Sequence, residues 1–240
     1  MIINIGTETF GNYGIRNGDM IAVINVLQWL RAKHKNPNIR FYMPENYIIQ
    51  DTGYHMEFYN YLCQHWNYFS KTPGPEDNRL PYDHIMLWDF RDNIGDGVNI
   101  SNDREMKKKV AIFPVLDATY NTIRNWPKYL FQEIINHANR SFPDYEKIIC
   151  ARAGLTEAFD FGDCKLSTDF ITNIEHIRDC EIFVGGDTGS SHFASALNRG
   201  PKELIYFYSA RSMIHTLPFH IHNGKGKLNT YSTQYNMDLF

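Results

Sequence analysis

The sequence predicts an α/β protein of two lobes, each a parallel sheet covered by helices. Two observations predict it. Short β-rich runs alternate with segments of helical spacing, and after a polar stretch at residues 92–108 the same alternation starts again. At 240 residues the chain suits one large domain or two small ones. The economical division is 1–104 and 105–240, with a cleft between the lobes.

The elements follow in order. "MIINI" is a strand and "GTETFGNYGIRNG" a glycine-rich loop. From Asp19 to Lys33, Ile21, Ile24, Leu27, Gln28 and Leu30 recur at helical spacing without a proline. "NIRFYMP" is a strand stopped by Pro44, "GYHMEFYNYLCQHW" a helix and "HIMLWDF" a strand. In the second lobe "KVAIFPV" is a strand. "WPKYLFQEIINHANR" is a helix with Pro127 near its first turn, where a missing N–H costs nothing. "KIICA" is a strand, and "LSTDFITNIEHIRDC" a helix with Ser167 or Thr168 available as N-cap. "EIFVGG" is a strand, "SSHFASALNRG" a short helix closed by Gly200, and "ELIYFY" a strand. The last thirty or so residues hold no clear period.

Composition excludes more than it selects. The chain is 43% hydrophobic and 21% charged, ordinary for a soluble globular protein, and its 15% aromatics favour filled cores or stacking surfaces. A net charge of -3 gives no global pull toward nucleic acid or anionic membrane. The N-terminus carries no secretory pattern, and no apolar run approaches the roughly 18 residues that would span a bilayer. Cys63, Cys150, Cys164 and Cys180 are scattered without metal-ligand spacing. Free thiols in a reducing cytoplasm, with no metal, are expected. His215, His220 and His222 resemble a metal site only in composition.

The stretch "FVGGDTGSSHFASAL" carries the most chemistry. Asp187-Thr188-Gly189 spells the signature of an aspartic protease. That chemistry needs a second carboxylate and an all-β lobe. Here there is one signature, and its flanks read strand before and helix after. A small-residue loop opening a helix exposes unpaired backbone N–H groups at the positive end of the helix dipole, which suits a phosphate. Gly185, Gly186 and Gly189 permit close backbone approach. Thr188, Ser190 and Ser191 add hydroxyls, and His192 a proton donor. Asp187 repels phosphate and fits the hydroxyls of an attached sugar. A well-capped structural helix accounts for the same residues equally well.

"IEHIRDCEIFVGGDTGSSHFASALNRGPKELIYFY" resembles the nucleotide-binding motif of the heptosyltransferase-like glycosyltransferases (family 9-like). The segments "AIFPVLDATYNTIRNWPKYLFQEII" and "RNGDMIAVINVLQWLRAK" resemble two more stretches of that family, in the right order. The resemblance implies a GT-B fold: two Rossmann-like lobes, the donor in the second, the active site in the cleft. It implies that Asp187, Thr188, Gly189 and His192 hold the donor's sugar and diphosphate, and that Arg124 faces the phosphates. It also makes Asp19 the base that deprotonates the acceptor. Against that role, a helix N-terminus stabilises a carboxylate and weakens it as a base, so Asp19 as an N-terminal cap is a rival reading. Asp117, Thr119, Tyr120, Arg152 and Glu157 are further candidates for the donor site. The chain is short for this family, and the loop "TPGPEDNRLP" is a candidate replacement for part of the acceptor lobe.

The expectation is a cytoplasmic, inverting, metal-independent glycosyltransferase. It uses a nucleotide-diphosphate sugar as donor substrate and no cofactor. Its acceptor is a hydroxyl, a saccharide before a hydroxylated base in DNA. A non-catalytic sugar-nucleotide-binding module is the reading from another class.

Overall fold

The computed structural model describes residues 1–5, 14–48, 54–80, 98–116, 124–151, 159–208 and 227–232. The chain divides into two compact units, Met1–Val98 and Asn99–Phe240. Each holds an all-parallel sheet, the α/β class expected from the sequence.

In the first unit the order is β3-β2-β1-β4, with β1 Ile2–Ile5, β2 Arg40–Tyr42, β3 Phe69–Ser70 and β4 Arg79–Leu80. Helix α1, Asn17–Lys33, follows β1, and α2, Tyr54–His65, follows β2. From Asp19 to Leu27 every residue of α1 is buried. The run Met20-Ile21-Ala22-Val23-Ile24 is apolar on all sides, as a central helix requires. Its C-terminus closes on Lys35, which takes a left-handed φ of 49° while its N–H bonds Ala32 O and that of Asn36 bonds Arg31 O.

The segment "HIMLWDF" lies outside the described residues. The loop "TPGPEDNRLP", the candidate replacement for part of the lobe, ends in β4 beside β1. Asn4 pins it, donating from Nδ2 to Gly74 O and Pro75 O and accepting from Gly74 N.

The second unit is a six-stranded sheet of order β10-β9-β8-β5-β6-β7. Its strands are β5 Lys107–Phe113, β6 Glu146–Cys150, β7 Lys165–Ser167, β8 Cys180–Gly186, β9 Glu203–Tyr208 and β10 Lys227–Ser232. Counted from β5, this is the strand order 3-2-1-4-5-6 of the dinucleotide-binding folds, reversing direction between β5 and β8. Helices α3 (Lys128–Ser141), α4 (Phe170–Asp179) and α5 (Gly189–Ala196) connect it. Phe131, Ile135 and Ala138, one face of α3, meet Val110, Ile112, Ile182, Val184 and Phe207 of the strands in one core.

Here the sequence reading needs three corrections. Ser167 belongs to β7 and pairs with Cys150, so α4 starts at Phe170, capped by Asp169, whose Oδ1 accepts from Thr172 N at 2.7 Å. Helix α5 ends at Ala196, not at Gly200, because Leu197 enters a parallel bridge with Ile100. The tail, without period in the sequence, contributes β10.

The stretch read as an interdomain crossing makes specific bonds at Ile100 and Asn102. Ile100 donates to Ala196 O and accepts from Asn198 N. Asn102 is 3% exposed, and its Nδ2 donates to Arg178 O and Arg199 O, both at 2.7 Å. Asn102 is therefore a buried partner, although the polar residues beside it, Ser101 and Asp103, are exposed.

Candidate active site at the carboxyl edge of the second sheet

Strands β5 and β8 lie side by side where the strand order reverses. In open parallel sheets the loops leaving such a pair diverge to opposite faces and leave a crevice beyond the carboxyl ends. The loop after β5 returns to α3 through Arg124 and Trp126, and the loop after β8 enters α5 through Asp187 and Thr188. Two segments some sixty residues apart in sequence thus meet at one place.

They meet through charge. Arg124 Nε lies 2.9 Å from Asp187 Oδ2, and Arg124 Nη1 donates to Asp187 O at 3.2 Å. The Nε–H is not aimed along the first contact, so it is an ion pair more than an aligned hydrogen bond. The Asp187 side chain is 6% exposed and that of Arg124 25%. The carboxylate is therefore held inside while the guanidinium reaches the surface. A cation at this opening, beside a helix N-terminus, suits an anion.

Helix α5 begins with Thr188 in extended geometry, φ -143°, and no side chain caps it. The Thr188 Oγ1 is buried without a hydrogen-bond partner among the described residues, and so is Trp126 Nε1. Thr188, Gly189 and Ser190 are partly exposed, so the N–H groups opening the helix stand at the surface. His192, one turn in, is buried, its backbone N–H bonded to Thr188 O at 3.3 Å.

The two glycines before Asp187 are closely packed. Gly186 closes β8, and a Cβ there would lie 2.7 Å from Val115 Cγ2 and 3.0 Å from Trp126 Nε1. At Gly185 it would lie 2.5 Å from the Phe183 ring. At both glycines the missing side chain leaves room for protein packing. Ser191, fully buried, donates its hydroxyl to Gly186 O at 2.5 Å and ties helix to strand.

Trp126 is the residue whose role the sequence reading missed. It stands between Gly186 and Phe207, edge-on to the Phe207 ring at 5.1 Å, and its backbone N–H donates to Val115 O. It fixes the loop bearing Arg124 against β8. The tryptophan-proline pair was visible in the sequence; its partner was not, because a glycine gives no sign of what fills its missing side chain.

Asp19 lies in the first unit, third residue of α1, 7% exposed, and its Oδ2 accepts from Arg16 N at 3.0 Å. The capping role weighed for it is thus present. Asp117, Thr119, Tyr120, Arg152, Glu157 and the three tail histidines lie outside the described residues. Among the described residues no three His, Cys, Asp or Glu side chains gather as metal ligands, and no helix is long and apolar enough to cross a membrane. None of the four cysteines forms a disulfide.

Comparison with solved structures finds the same fold over nearly the whole chain. A glycosyl transferase family 9 structure from Veillonella parvula matches with a TM-score of 0.57 and 12% identity, over 99% of this chain and 87% of that one. The E. coli heptosyltransferase WaaC with ADP matches with a TM-score of 0.53 and 12% identity, over 97% and 93%. At such identity the likeness is one of fold. No family model matches the sequence, and a search of curated proteins finds no match.

Proposed function

We propose that this chain is an inverting, metal-independent glycosyltransferase. It moves a sugar from a nucleotide-diphosphate donor to a hydroxyl acceptor, most naturally a saccharide. The observation that carries this reading is the Arg124–Asp187 pair at the strand-order reversal, beside the uncapped start of α5. The fold it shares with an ADP-bound heptosyltransferase supports the same reading.

The residues divide the work by charge. Departure of a nucleoside diphosphate builds negative charge on a phosphate oxygen. Arg124, through its outer Nη2 edge, and the N–H groups of Gly189 and Ser190 neutralise that charge as it forms. Asp187, held inward, accepts from sugar hydroxyls and keeps the guanidinium aimed. Thr188 offers its buried hydroxyl at the same opening, and His192 supports the first turn from beneath. Gly186 acts indirectly, through the room it leaves for Trp126.

On the acceptor side stands Asp19. The Asp19→Asn variant separates base from cap, because asparagine keeps an acceptor for Arg16 N–H but takes no proton. A base loses roughly 10²- to 10⁴-fold in rate on that change, whereas a cap loses almost nothing.

The test is nucleotide-diphosphate release from a panel of sugar nucleotides in EDTA, with donor binding by calorimetry alongside. Hydrolysis of one donor, abolished in Arg124→Ala and Asp187→Ala, is expected. Binding without release across every acceptor tried would make the chain a sugar-nucleotide-binding module. No binding at all would remove the donor site.

A further inference from the structure

We propose that the amino edge of the first sheet is a docking surface for anionic lipid headgroups, carried by Lys33, Lys35 and Arg40. This surface lies wholly within the first unit. It goes beyond the glycosyltransferase reading and does not depend on it.

Charge is sorted along this part of the chain. Residues 1–98 hold eight Lys and Arg against eleven Asp and Glu, an acidic balance. From Met20 to Pro44, however, stand Arg31, Lys33, Lys35 and Arg40 and no acid at all. The run carries a local field that the net charge conceals.

The fold turns that run into a place. Strands β1 and β2 are parallel, so the helix between them returns the chain to the amino edge of the sheet. Lys33 ends that helix, Lys35 follows it and Arg40 opens β2, which brings all three to this edge. All three are exposed, and among the described residues no carboxylate pairs with any of them. The second unit treats its exposed lysines differently: Lys107, Lys165, Lys202 and Lys227 each meet a carboxylate within 3.2 Å.

Arg31 is a clamp. Its Nε donates to Ile39 O at 2.8 Å and its Nη2 to Asn67 O, which ties the approaches to β2 and β3 to the helix end. Burial, opposed by Tyr68 and assisted by the Arg40 cation, lowers the Arg31 pKa, so Arg40 stands close enough to repel it. A helix C-terminus favours cations, which accounts for Arg31 and Lys33 in its last turn. It does not account for Arg40, which begins a strand. Like charges gathered without a counter-ion remain available to an anion from outside.

The arrangement selects the partner. The three cations come from a helix end, a turn and a strand start, each on its own long stem, as a field of anions requires and a single bound anion does not. Single-stranded nucleic acid would need ring faces for its bases. Trp66 and Tyr68 are each 8% exposed, and Lys33 Nζ lies 4.5 Å over the Trp29 ring. The exposed acids Glu45 and Glu57 stand at the opposite, carboxyl edge, after β2 and in the first turn of α2. Glu76 and Asp77 precede β4, on the far side of β1 from β2. Docking by the amino edge turns Glu45 and Glu57 away from the headgroups, which fixes one orientation.

The experiment is co-sedimentation of the full chain with vesicles of phosphatidylcholine and phosphatidylglycerol, against vesicles of phosphatidylcholine alone. Wild type is expected to bind only the anionic vesicles, and to leave them at about 1 M salt, where the Debye length falls to about 3 Å. Each cation near such a surface is worth roughly fivefold in partitioning. The combined variant Lys33→Gln, Lys35→Gly, Arg40→Gln should therefore bind roughly 10²-fold more weakly. A thermal melt separates that loss from unfolding, and Lys33→Arg, Lys35→Arg, Arg40→Lys together should retain binding. Equal binding by the charge-removed variant, or no binding of wild type to the anionic vesicles, would overturn the proposal. So would wild type that ignores the vesicles and binds DNA through the same three residues. Donor binding by calorimetry is unaffected in either variant, so the glycosyltransferase reading stands or falls separately.

Discussion

Gly186 shows how a single atom decides the geometry of the candidate site. Adding a Cβ brings it to 2.7 Å from Val115 and 3.0 Å from the Trp126 nitrogen, so the tryptophan must shift and carry the Arg124 loop with it. Gly186→Ala should cost about 1–3 kcal/mol in urea unfolding and weaken donor binding. Arg124→Ala acts more directly, leaving the Asp187 carboxylate inside without its cation. A fully buried pair would lose about 3–5 kcal/mol on such a change. With Arg124 one quarter exposed, water reaches the vacated space, and the loss should fall below that range. Donor binding should vanish, which calorimetry beside a thermal melt would separate from instability. At this scale the sequence was most informative where the chemistry is consecutive. Asp187, Thr188 and Gly189 stand together in the chain and in space. Asn17 and His55, hydrogen-bonded at 2.7 Å, are 38 positions apart and gave no signal, since nothing in either neighbourhood says that the two helix starts will meet.

Among the elements, helices were legible, whereas the short strands β3, β4 and β7 were not. The faces of α3 and α4 repeat often enough to show a period, whereas β3 and β4 have two residues each and β7 three, too few to show any alternation. Their place is set by neighbours: β4 exists because Asn4 of β1 collects the loop before it. The end of α1 offers an element-level test. Lys35 holds a left-handed conformation that glycine takes without strain, so Lys35→Gly should stabilise the fold by about 0.5–1 kcal/mol. The join of α4 to β5 offers another. Lys109, 4% exposed, is paired with Asp179 and bonded to His176 Nδ1 at 3.2 Å. Burial, and then the Lys109 cation, hold His176 below the usual imidazole value of 6.5. Burial alone would raise Asp179, but hydrogen bonds from Lys109 and Lys107 outweigh it and hold the carboxyl below 3.8. Both groups bind more protons in the unfolded chain, so both contributions fade as the pH falls. That of His176 is complete above about pH 6.5 and is lost as the pH drops through its lowered value. That of Asp179 persists until the pH falls below 3.8. The Tm of wild type should therefore decline below pH 6.5, and that of His176→Gln should not until the carboxyl titrates.

At the scale of the molecule, alternation in the sequence announced parallel sheets, but not the strand order that creates a site. The reversal between β5 and β8 comes from crossovers running in opposite directions, which no local pattern records. Nor did polarity distinguish a linker from a strap. Ile100 and Asn102 sit in a stretch poor in apolar residues, and the carbonyls of Ala196, Arg178 and Arg199 need the donors it supplies. Residues 99–105 are thus a detachable splint across the far end of α5. A fragment beginning at residue 106 should express as a loose, aggregation-prone species. A synthetic peptide of the splint, added in trans, should bind it and recover its thermal transition, making the second unit a split-protein pair.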